Sequence, residues 1–285
     1  MDGGQVLAAP VAVPGPRRRW PGGVLWGWAQ SALLPGVILV LWEISGRRGW
    51  IPAGILPPPS GVARGWWQWA FGVDAFGMNA YSGTWIANLA ASAARVGQGF
   101  LLAVVVGVPL GVLIGWSRLV ARLTDPTIQA LRPIPITAWL PFSIALFGIR
   151  SFGAIFLIAL GAFYPIVINS AHGARDVNRN LVRAARMMGA TPAQLLLRVV
   201  APSAMAAIFT GLRIGLGIAW TAVIVAEMVA VKSGLGYVLW DAYYIGRMDV
   251  VIADMVSIGL IGFLSDQFIL LIEYRLLRWK RISRA

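Results

Sequence analysis

Residues 183–202 read Arg-Ala-Ala-Arg-Met-Met-Gly-Ala-Thr-Pro-Ala-Gln-Leu-Leu-Leu-Arg-Val-Val-Ala-Pro, a polar, arginine-bearing stretch between hydrophobic runs. The pattern predicts one helix over 178–188 and a second over 192–200. Gly189 supplies the left-handed turn on which helix C-termini commonly end. Thr191 followed by Pro192 makes an N-cap and first-turn pair, and Pro202 is expected to stop the second helix. The product is a helical hairpin outside the lipid, spanning 172–202, whose polar tip fits a groove on a soluble partner.

Outward from this hairpin the chain is apolar. A membrane-crossing helix needs roughly 20 mostly apolar residues. Uncharged runs occur at 24–42, 99–116, 133–149 and 152–171. Two more runs hold isolated charges: 203–231, with Arg213 and Glu227, and 250–272, with Asp254 and Asp266. Six transmembrane helices are therefore expected in an all-α integral membrane protein. The third is interrupted by Pro133, Pro135 and Pro141, so it is expected to be broken and protein-buried, starting near Asp125 and Pro126. The 45–85 stretch, with Trp66, Trp67 and Trp69, reads as a loop with short interfacial helices.

Composition agrees with this reading. Of 285 residues, 58% are hydrophobic and 12% charged, about half the charge of a soluble domain. Without cysteine, and with one histidine, disulfides, thiolate or histidine metal clusters and cysteine nucleophiles are excluded. The net charge of +13 does not mark a nucleic-acid binder, because the arginines lie at the ends of apolar runs, where topology needs them. With both termini inside, 16 of the 24 Lys and Arg fall on the cytoplasmic side and six outside, the arrangement that the positive-inside rule favours. Residues 1–23 read as a cytoplasmic tail and 24–285 as the transmembrane domain. No Gly-x-x-x-x-Gly-Lys-Ser/Thr phosphate loop occurs, so no ATP site of that kind is expected. The chain reads as neither an enzyme nor a cofactor binder.

The hairpin resembles the docking loop of ATP-binding-cassette (ABC) import permeases: Glu-Ala-Ala, three residues, Gly, nine residues, Ile, any residue, Leu-Pro. Here Arg183-Ala184-Ala185, Gly189, Val199 and Ala201-Pro202 stand at those spacings. Arg183 replaces the Glu and Ala201 the Leu. Further matches follow in order: Leu131-Arg132-Pro133-Ile134-Pro135, Trp139-Leu140-Pro141, Gly211-Leu212-Arg213, Ala226-Glu227 and Gly234-Leu235-Gly236. Over roughly 30–280 the chain is similar to the nitrate/sulfonate/taurine branch of that family.

The resemblance implies a type I importer permease in the bacterial inner membrane, acting by alternating access. It implies a homodimer with a second copy, two ABC ATPase subunits docked on 172–202, and an extracytoplasmic substrate-binding protein. The contact residues would be Arg183, Ala184, Ala185, Arg186, Gly189, Ala190, Thr191, Pro192, Arg198 and Pro202. The branch implies a small anion; an uncharged heterocycle or aromatic acid is the alternative within the family. An ion-coupled secondary transporter is the alternative outside it, though no internal inverted repeat is evident.

Candidates for a translocation path or gate are Arg132, Trp139, Tyr164, Asn169, Trp220 and Glu227. Glu227, deep in the fifth span, needs a partner or a water cavity. It belongs either to the gate or to a packing pair with Arg132 or Arg95. Arg132 either offers positive potential to an anion or bonds carbonyls freed by the prolines. Gly107, Gly111 and Gly115 share a helix face, as do Gly211 and Gly215, and predict close helix packing. Asp254 and Asp266 are expected to reach interfacial water.

Overall fold

A computed structural model describes residues 22–73 and 81–277, with side chains from Gln30 onward; the expected tail and the last eight residues lie outside the described part. Among the described residues every regular element is helical. The helices are α1 (Gly22–Arg47), α2 (Pro59–Phe71), α3 (Trp85–Trp116), α4 (Arg118–Leu131) and α5 (Leu140–Phe147). They continue with α6 (Ser151–Arg175), α7 (Arg179–Met187), α8 (Pro192–Leu195), α9 (Ala201–Ala230), α10 (Leu235–Tyr244) and α11 (Met248–Leu276).

Four described runs are long and apolar enough to cross a membrane: α3, α6, α11 and the unbroken Pro192–Ala230. The expected broken span is α4 followed by Ile136–Phe147, bent by 92°, but it is not buried within this chain: of residues 133–149 only Ser143 is buried. Its break falls at Arg132–Pro135, where two prolines remove backbone donors. Pro126 does not open the span. It lies inside α4, which starts at Arg118 after Ser117 caps it, accepting from the Val120 N–H at 3.4 Å. The first expected run lies in α1, and the 45–85 stretch contains the short helix α2.

The bundle is built on the stack α3–α6–α9. In lipid no hydrophobic force drives helices together, so close backbone approach and dispersion must do so. The glycines permit it. A Cβ on Gly111 would lie 2.5 Å from the Val167 carbonyl oxygen, and one on Gly115 2.5 Å from that of Ala171. On the other face of α6, a Cβ on Gly211 would lie 2.8 Å from Asn169 Cβ and 3.0 Å from the Pro165 carbonyl. The expected small-residue faces are thus seams within one subunit.

Candidate functional site

The hairpin forms largely as its sequence requires. Asn178 caps α7, its Oδ1 accepting the Asn180 N–H at 2.9 Å. Gly189 has φ +81°, and Ala190 donates back to the Ala185 carbonyl at 3.1 Å, closing the helix end with a six-residue return bond. Thr191 and Gln194 form a reciprocal capping box: Gln194 N–H to Thr191 Oγ1 (3.3 Å) and Thr191 N–H to Gln194 Oε1 (2.9 Å). Ala185 and Leu195 face inward. Arg183, Ala184, Arg186, Thr191, Pro192 and Arg198 are exposed, as are Met187 (90%) and Met188 (81%). A crevice of about 360 Å³ separates the two arms, with Met188 and Arg198 on its walls.

One expectation fails here. Pro202 does not stop the second helix. Residues Leu196–Val200 form a π-turn, with Ala201 N–H bonding to the Leu196 carbonyl, and the chain runs on without a break into α9. Pro202 lacks the N–H that an α-helical register would direct at the Arg198 carbonyl. Widening one turn ahead of the proline changes the register without ending the helix. The second arm is therefore the end of a membrane-spanning helix.

At the far end of α9 lies a buried polar network. Glu227 is fully buried. Its carboxylate accepts from Arg95 Nη1 (2.6 Å), Ser92 Oγ (2.8 and 2.9 Å) and the Gly236 N–H (3.0 Å). Asn88 Oδ1 takes the Gly234 N–H (2.9 Å), and Ser92 Oγ takes the Leu235 N–H (2.8 Å). Arg95 also donates to the Ser233 carbonyl and hydroxyl. Side chains of α3 and α9 thus satisfy the opening N–H groups of α10, which would otherwise be unpaired. Of the two partners expected for Glu227, Arg95 is the one present.

Asn88, Ser92 and Ser233 were not expected as members. Polar residues at 88, 92 and 95 follow an i, i+4, i+7 stripe inside an apolar helix, and that is the signal that could have found them. Nearby, Tyr81 Oη donates to Asp241 Oδ2 at 2.6 Å, and burial together with this carboxylate raises the phenol well above its ordinary range.

A family profile described as "Binding-protein-dependent transport system inner membrane component" matches residues 107–278, which include the hairpin, Glu227 and the α10 turn. The chain belongs to this family. Among its relatives, the Putative aliphatic sulfonates transport permease protein SsuC of Bacillus subtilis is 35% identical, covering 92% of each chain. A Putative ABC transporter permease protein of Methanocaldococcus jannaschii is 45% identical over 71% of this chain and 76% of its own. The Nitrate import permease protein NrtB of a Synechocystis species is 40% identical over 64% of this chain and 66% of its own. A chain of the MetNI methionine ABC transporter, solved in inward-facing conformations, shares the fold: TM-score 0.59 at 23% identity, over 68% of this chain and 94% of that one.

The other residues singled out in this ABC permease do not form one cluster. Arg132 is exposed at the 92° break. Trp139, in the turn after the break, stacks edge-on against Phe142, and its buried Nε1 has no hydrogen-bond partner among the described residues. Asn169 Nδ2 donates to the Pro165 carbonyl at 2.8 Å. Tyr164 and Trp220 are buried within the subunit, Trp220 donating to Ser265 Oγ at 3.0 Å. Of the acidic residues of α11, Asp254 departs from expectation and Asp266 finds a partner. Asp266 forms a two-point ion pair with Arg213, at 2.8 and 2.9 Å. Asp254 is fully buried, with both carboxyl oxygens unpartnered among the described residues, so it does not reach interfacial water.

Proposed function

We propose that this permease carries a small oxyanion or organosulfonate across the bacterial inner membrane. In this reading two copies face each other with both termini cytoplasmic. Two ABC ATPases dock on 172–202, and an external binding protein delivers the substrate. The chain itself does no chemistry; nucleotide hydrolysis belongs to the ATPases. The observation that carries the reading is the hairpin. It is capped at three points, exposes Met187, Met188 and five arginines, and runs without a break into a membrane-spanning helix. A groove that grips it grips α9 directly, so closing two ATPases rocks two α9 helices and biases a bistable bundle.

The names of the sulfonate and nitrate relatives support the substrate class. So does Arg132, an exposed cation at a helix break, since a charge at membrane depth belongs at a water-filled surface. Of the remaining path candidates, Trp139 lies in the turn that follows the break and is proposed to line the way. Tyr164, Asn169, Trp220 and Glu227 are proposed to support the gate from behind.

One observation favours a second reading, in which the cargo is an aromatic acid or uncharged heterocycle. Trp240, Tyr243 and Tyr244 cluster at the end of α10 with ring centroids 5.3–5.9 Å apart, and all three are exposed. Uptake into proteoliposomes holding permease, ATPase and binding protein separates the cases. ATP-dependent uptake of nitrate or ethanesulfonate, competed by neither benzoate nor cytosine, is expected. Uptake of benzoate alone would favour the second reading, and uptake driven by an ion gradient without nucleotide would overturn both.

A further inference from the structure

Two of the membrane-length helices, α6 and α11, are held in different ways. Of the most apolar 18-residue stretch of α6, 56% is buried, against 11% for α11. Packing therefore fixes α11 less than α6, and lipid supplies no hydrophobic force to make up the difference. Polar bonds do connect it. Arg213 and Trp220 stand seven residues apart on one face of α9 and reach adjacent residues of α11. Arg213 donates through Nε and Nη2 to both oxygens of Asp266, and Trp220 through Nε1 to Ser265 Oγ.

The ion pair is about two-thirds covered, with side-chain exposures of 38% and 32%. Arg213 lies roughly 18 Å along the helix from Ala201 at 1.5 Å per residue, inside the run that is long and apolar enough to cross a membrane. A charge pair held there at a cost in solvation needs a compensating use. Two parallel N–H···O bonds fix angle as well as distance. A single hydroxyl contact between apolar helices would leave α11 free to slide.

We propose that Arg213–Asp266, assisted by Trp220–Ser265, is a clamp that makes α11 move as one body with α9 when ATP drives the hairpin. Arg213 and Asp266 are positioning residues: they touch neither nucleotide nor cargo, and they set how far the hairpin's motion reaches. The clamp rests on the reading that the hairpin docks an ATPase. It extends that reading by assigning α11, which joins the hairpin's helix only by way of α10, to the moving part.

The chain has no cysteine, so nitroxide pairs can be placed without prior substitution. Two spin-labelled samples of the permease–ATPase complex in nanodiscs decide the matter. The first carries Met188→Cys in each copy, and the second Thr210→Cys with Leu271→Cys in one chain. The Met188 pair should close on adding ATP to a hydrolysis-deficient ATPase, while the α9–α11 distance stays unchanged. In Asp266→Asn the α9–α11 distribution should broaden and shift with ATP. In the exchanged pair Arg213→Asp with Asp266→Arg it should narrow again.

An α9–α11 distance that changes with ATP in the unsubstituted chain, alongside a moving Met188 pair, overturns the clamp alone. An equally sharp distribution in Asp266→Asn also overturns it. A Met188 pair indifferent to ATP overturns the docking reading and the clamp with it. Should Asp266→Asn not insert, Arg213→Met with Asp266→Leu replaces it, removing the ion pair from both sides without stranding a charge. An unbroadened distribution in that variant counts against the clamp.

Discussion

The two ends of α9 each carry a turn that hinges on a left-handed glycine, yet the turns are held in opposite ways. At the hairpin, Gly189 (φ +81°) stands in open space, and every cap comes from within five residues. At the other end, Gly234 (φ +109°) is enclosed, and its own N–H and those of Leu235 and Gly236 are taken by Asn88, Ser92 and Glu227 from two other helices. The first turn is an exposed local structure that a partner can grip without disturbing the bundle. The second forms only once α3, α9 and α10 are together, and its Glu227–Arg95 pair is sheltered from water. One is built to be handled, the other to hold.

If that contrast is right, substitutions should sort by turn. The largest effect is expected at Gly234→Ala. The new Cβ would overlap the Glu227 carboxyl group while forcing a positive φ on an L-residue. Folded permease should not be recovered, as read by size-exclusion chromatography after detergent extraction. Next, Arg95→Met strands a buried carboxylate and should cost about 3–5 kcal/mol, seen as a large fall in melting temperature. Glu227→Gln, which keeps shape and acceptor, should lose less.

The hairpin variants should behave differently. Gly189→Val meets no atoms but resists positive φ, a strain of about 1–3 kcal/mol confined to the turn. Insertion and melting temperature should survive while ATPase co-purification falls; unchanged co-purification would contradict the assigned role. Smallest of all, Thr191→Ala removes one side of the capping box, worth about 1 kcal/mol. Its expected mark is faster proteolysis within 186–195, with little change in transport.

The same contrast explains what could be read from the sequence. Gly189, Thr191-Pro192 and the helix between Asn178 and Met188 are short-range signals, and each stands where its local chemistry put it. The apolar runs and the break at Pro133 and Pro135 were equally legible, because bilayer length and a missing N–H act on the chain directly. Pro202 misled because its local rule was answered by a local remedy, a π-turn one step earlier. Asp254, Asp266 and the members of the Glu227 network depend on which helices meet, and nothing in one helix's periodicity says what lies across from it. Even so, Arg95 was named as a possible partner of Glu227, since few cations were available at that depth.

The central claim is that 172–202 faces the cytosol and is gripped there. A single cysteine at Met188, which is 81% exposed, tests it most directly. In right-side-out vesicles a membrane-impermeant maleimide should fail to label it. In inside-out vesicles it should label rapidly, and added ATPase should block the reaction and allow a crosslink to form. Labelling in right-side-out vesicles, or reactivity in inside-out vesicles untouched by the ATPase, would contradict the account.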